Sequence, residues 1–211
     1  MGKRVALCLI AIVFVLSCCA NAVSAAVIGY DVDYWYSDTD LVGKWSNRSL
    51  GVYVGTNSSY ASLSVANIKN YLATAVSSWS SSTGISISYV NSQASAALAV
   101  GGITRAQANS IGITPNTLGY TTLSANTQLA TLYYKGAQKQ LRKITSSAVY
   151  LIESSATSTT AGVKKVVVHE AGHAFGYFGH YDRGAVMTTL YENMSSLTPS
   201  AAEKNHLKQI Y

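Results

Sequence analysis

Residues 169–180 read HEAGHAFGYFGH and hold three of the chain's four histidines together with one of its nine acidic residues. On an α-helix His169 and His173 stand one turn apart and project from one face, so their imidazoles can grip the same metal ion. Glu170 lies between them in sequence. Two histidines and a third ligand leave tetrahedral zinc one open position, where water acidifies to a pKa of roughly 7 and becomes a nucleophile. The chemistry this implies is hydrolysis of a carbonyl. A purely structural zinc would need a fourth protein ligand, and the segment has neither a cysteine nor a fourth histidine. That argues against a non-catalytic, zinc-containing surface binding protein, in which Glu170 would have no task.

The segment before and within the motif is apolar: Val166, Val167 and Val168 precede His169, and Ala171, Ala174 and Phe175 follow it. A helix of this composition is buried, and buried histidines require partners. Gly176 stands three residues after His173, where a left-handed residue ends a helix and turns the chain back toward the metal.

These residues resemble the metzincin zinc peptidases, whose signature is HExxHxxGxxH followed by a methionine turn. His169, Glu170, His173 and Gly176 match position by position, Met187 in AVMTTL resembles the methionine beneath the metal, and within the metzincins the closest likeness is to the matrixins. The signature's third histidine falls on Gly179 here, and His180 comes one residue later. A loop can absorb one inserted residue, so the resemblance implies His180 as third ligand. A gluzincin-type metallopeptidase would instead use Glu192, with eighteen residues between it and His173. The intervening stretch carries three glycines and no helical period, which makes Glu192 a solvated acid, and Asp182 is a weaker stand-in. Such families often carry a tyrosine two residues after the methionine; this chain has Thr189 there, and Tyr191 cannot be given that role from sequence.

The remaining composition agrees with an exported enzyme. Lys3 and Arg4 precede an apolar stretch from Val5 to Leu16, and Val23-Ser24-Ala25 offers small residues ahead of a cut after Ala25, the pattern of a signal peptide over 1–25. The stretch is too short for a membrane span. Cys8, Cys18 and Cys19 all lie inside it, so a chain cut after Ala25 has no disulfide and no thiol to cap a zinc. Leu16-Ser17-Cys18-Cys19 is loosely lipobox-like, which makes lipoprotein anchoring the minor alternative to a secreted, extracellular protein. Losing Lys3 and Arg4 lowers the formal charge from +6 to +4. The basic run Lys135, Lys139, Arg142 and Lys143 has no aromatic interleaving, which favours a solvated turn and no nucleic acid partner.

The elements that must position the motif follow an α+β order. Residues 26–45 form an acidic and aromatic segment with Asp31, Asp33, Asp38 and Asp40: an arm, a short pro-segment offering a carboxylate to zinc, or a calcium site. Leu50, Val52 and Val54 alternate as in a strand, and Val65, Ile68, Leu72, Val76 and Trp79 repeat at helical spacing up to Gly84, with Trp79 a core residue. Strand patterns recur at 85–90, 97–100, 129–134 and 148–152. The active-site helix runs from about Thr160 to Phe175. Thr198-Pro199 and a Ser200 to Glu203 capping box open a terminal helix bearing His206, read as a surface histidine. The resemblance implies a metzincin-like catalytic domain over 46–211: a twisted mixed sheet with a long helix, an active-site helix and a C-terminal helix. It implies a secreted zinc endopeptidase acting on protein or peptide substrates as a monomer, with one catalytic Zn²⁺ and with Ca²⁺ left open.

Overall fold

The computed structural model describes residues 26–29, 41–134, 137–181 and 183–211. Seven strands form one mixed sheet: β1 (Ala26–Gly29), β2 (Leu41–Trp45), β3 (Ser49–Thr56), β4 (Ser86–Tyr89), β5 (Leu98–Ile103), β6 (Gly119–Tyr134) and β7 (Ala137–Ile152). The order is β1-β6-β7-β5-β3-β4, with β2 beside the first half of β7 and β5 beside the second. Among the described strands only β6 and β7 pair antiparallel. Among the described residues the α-helices are α1 (Val65–Thr83), α2 (Arg105–Ser110), α3 (Thr160–Ala174) and α4 (Ala201–Lys208). The expected α+β architecture is therefore present. Among the described residues no helix is long and apolar enough to cross a membrane.

Local chemistry explains the helix limits. The Ser64 hydroxyl accepts from Asn67 N–H to open α1, and Gly84 closes it in the left-handed region. Thr159 caps α3 by accepting from Gly162 N–H. The apolar stripe of α1 (Ile68, Leu72, Trp79) packs with Val163, Val167 and Val168 of α3 over the inward side chains of the sheet, among them Leu50, Val52, Leu98, Val100 and Leu151. Trp79 is fully buried and donates its indole N–H to Val168 O of α3 at 2.9 Å, which ties the long helix to the active-site helix.

Three expectations are corrected. The strands expected at 129–134 and 148–152 are the ends of two sixteen-residue strands that form one long hairpin. The added lengths are rich in Thr, Ser, Asn and Gln, have no apolar alternation to announce them, and owe their conformation to pairing with each other. The basic run is a strand, not a turn: Lys139, Arg142 and Lys143 lie in β7, the latter two paired with β2, and Lys139 is buried. Lys135 lies outside the described residues. His206 is a core residue with no exposed surface, because its face of α4 packs on Tyr177, ring centroids 4.3 Å apart. The signal peptide expected over 1–25, the three cysteines and the four aspartates of 30–40 lie outside the described residues.

Candidate metal centre

The last turns of α3 carry His169 and His173, and the loop after it carries His180. Their ligand atoms all lie within 4.8 Å of one another, the one such group among the described residues. Gly176 and Gly179 have φ of +108° and +85°, conformations that side-chain-bearing residues rarely adopt. The first reverses the chain at the helix end. The second sits where the metzincin signature has its third histidine, and the turn it allows takes up the extra residue so that the next one, His180, faces the other two.

Each helical histidine is fixed from behind. His169 Nδ1 lies 2.9 Å from Val186 O, and His173 Nδ1 lies 2.7 Å from Tyr177 O. A carbonyl can only accept, so in both rings Nδ1 carries the proton and Nε2 presents a lone pair. The two Nε2 atoms converge to 3.1 Å. Two lone pairs aimed at each other repel unless a cation lies between them, so the donor set fits a metal. Burial lowers the pKa of both imidazoles, and neighbouring His169 depresses His173 further, well below the usual range. Neutral imidazole is the form that binds metal.

Glu170 is buried beside this group, and its Oε2 accepts a 2.6 Å hydrogen bond from the Thr121 hydroxyl of β6. Burial raises its pKa to about 7, while the Thr121 bond pulls the other way. Met187 is fully buried under α3, where a Cβ added to Gly172 would stand 2.5 Å from its sulfur. Helix and methionine turn approach this closely only because residue 172 has no side chain.

The group opens on a cleft of about 1130 Å³ between residues 116–123, which include the start of β6, and residues 188–192 after the methionine. Glu192 lies on the rim in a short 3-10 turn, exposed and outside the histidine group. Thr189 and Tyr191 also line the cleft, whereas Asp182 lies outside the described residues. Sequence reading missed Thr121 and the cleft strand. Forty-nine residues separate Thr121 from Glu170, and no motif links them. It also saw in Glu203 only a helix cap.

An α+β domain that carries HExxH on a buried helix, a third histidine on the following loop and a methionine turn beneath is a metzincin domain. The model of the matrixin family matches residues 44–211, most of the chain, and the chain belongs to that family of zinc metallopeptidases. No curated protein matches it.

Proposed function

We propose that this protein is an exported zinc endopeptidase, with His169, His173 and His180 holding the metal, Met187 beneath them and Glu170 as general base. The observation that carries the reading is the convergence of three imidazoles beside one buried carboxylate that stands outside their group, in an open cleft. Zinc, when bound, supplies a Lewis acid that acidifies water and polarises a peptide carbonyl. Glu170 takes the proton of the attacking water on its carboxylate and delivers it to the leaving amine. Thr121 holds Oε2 and so orients the carboxylate toward the cleft. The outer edge of β6 from Gly119 to Leu123 faces the cleft and has no strand partner among the described residues, since β1 pairs only with Ala130–Tyr133. An extended peptide can lie along that edge as an added strand. Export rests on the N-terminal signal-peptide pattern, and protein substrates on the family.

Two measurements test this. Glu170→Gln should keep about one zinc per chain and lose peptide hydrolysis by roughly 10²–10⁴-fold; undiminished cleavage would remove Glu170 from the mechanism. Zinc titration should show affinity collapsing in His180→Ala and intact in Glu192→Ala. The reverse pattern would overturn the assigned third ligand.

A further inference from the structure

We propose that Glu203 is a positioning residue for the metal centre, acting on His169 through a single peptide group. The proposal rests on the zinc-site reading above. Glu203 belongs to the capping box of α4, a task met by one contact, Ser200 N–H to Oε2 at 2.6 Å. Yet its carboxylate, with no exposed surface, accepts three more backbone hydrogens: Ala185 N–H at 3.1 Å, Val186 N–H at 2.9 Å and Met187 N–H. These come from the methionine turn and are surplus to capping. The fit is close, since a Cβ on Gly184 would stand 2.3 Å from Oε1. Any side chain at that position would displace the carboxylate.

The Met187 N–H and the Val186 C=O belong to the same peptide unit. Its hydrogen points at Glu203 Oε1 and its oxygen receives the Nδ1 proton of His169 at 2.9 Å. Metal-binding histidines commonly donate their second nitrogen to a carboxylate, which fixes tautomer and ring orientation and raises ligand basicity. Here the carboxylate stands one peptide group further back. A negative charge on the N–H side polarises the amide, so its oxygen becomes a stronger acceptor for His169. The same helix reaches the other helical ligand: His206, three residues after Glu203, packs on the Tyr177 ring, and Tyr177 O holds His173 Nδ1. Glu203 carries the electrostatic part of this support, and α4 thereby supports both histidines of the motif from behind.

The test is zinc affinity by chelator competition, together with the His169 tautomer by nitrogen NMR of the metal-free protein, in Glu203→Gln and in Ser200→Ala. Ser200→Ala weakens the same helix cap but leaves the contacts of Glu203 to Ala185, Val186 and Met187 in place. Glu203→Gln should bind zinc roughly 10–100-fold more weakly and show His169 partly in the Nε2–H form. Ser200→Ala should melt earlier with unchanged zinc affinity and tautomer. If Glu203→Gln folds only with metal, the zinc concentration at half-folding, relative to wild type, reads the same fold-change. Wild-type affinity in Glu203→Gln, an equal loss in Ser200→Ala, or failure of Glu203→Gln to fold at any zinc concentration would overturn the proposal. A wild-type protein that takes up no zinc would instead remove the metal-centre reading, and the tautomer in the metal-free variants would still decide whether Glu203 acts on His169.

Discussion

The floor of the cleft and its rim are built on opposite terms. On the floor, Glu170 and Met187 are buried, His169 and His173 each have Nδ1 tied to a backbone carbonyl, and Trp79 backs α3 with a buried hydrogen bond. On the rim, Tyr120 and Leu190 leave about half their surface in water, and Thr189 and Glu192 are exposed as well. Chemistry that depends on fixed tautomers and a tuned carboxylate needs a floor with little freedom. Substrate contact needs a rim whose side chains are not already committed to the core. Under the proposed function, the difference assigns stability and metal affinity to one set of residues and substrate preference to another.

Substitutions can break that division or sharpen it. The largest effect on stability should come from the floor: Trp79→Ala removes a fully buried ring and leaves Val168 O without its indole partner, for a loss of about 3–5 kcal/mol in urea unfolding. A loss below about 1 kcal/mol would mean that the floor is less tightly built than its burial indicates.

Next is a pH effect in the metal-free protein. The folded pKa of Glu170 is raised from its ordinary value to about 7, so the folded state keeps a proton that the unfolded chain releases near 4.5. Its contribution to stability is fully present below about pH 4.5 and is lost as pH rises through about 7. His169 and His173, with lowered pKa values, have the opposite slope, losing stability as pH falls, and this is common to wild type and Glu170→Gln. The stability of Glu170→Gln relative to wild type should therefore rise by up to roughly 3 kcal/mol between about pH 4 and pH 8. A flat difference in chemical denaturation across that range would show that Glu170 is solvated.

A smaller effect belongs to the link between the two walls. The Thr121 hydroxyl lowers the pKa of Glu170, so Thr121→Val should raise it and move the acid limb of the pH–rate profile upward, by about one unit for a hydrogen bond of roughly 1.5 kcal/mol. An unmoved limb with a lower plateau would assign Thr121 to orientation alone. The smallest effect on stability is expected at the rim. Leu190→Ala should change unfolding free energy by no more than about 0.5 kcal/mol and raise KM for an apolar peptide with little change in kcat, the pattern of lost uniform binding. A substantial drop in Tm would erase the proposed distinction between floor and rim.

What could be read from the chain without its fold is what neighbouring residues decide. His169 and His173 share a face because four residues make one helical turn, and Thr159, Ser64, Gly84 and the Ser200 capping box mark helix ends through contacts three or four residues long. The apolar character of α3 gave its burial in advance. The turn at Gly176 was equally legible, since glycine tolerates positive φ.

Tertiary structure decided everything that joins distant segments. Whether His180 meets the helical histidines depended on how the loop takes up one extra residue, which Gly179 permits but no local rule requires. Thr121 reaches Glu170 only because β6 crosses beside α3, and the long β6–β7 hairpin exists because its polar strands pair with each other. Glu203 and His206 looked like a cap and a surface residue. Their local sequence specifies only the helix that bears them, and the packing of α4 against the methionine turn and Tyr177 puts a buried carboxylate one peptide group from a histidine of the motif.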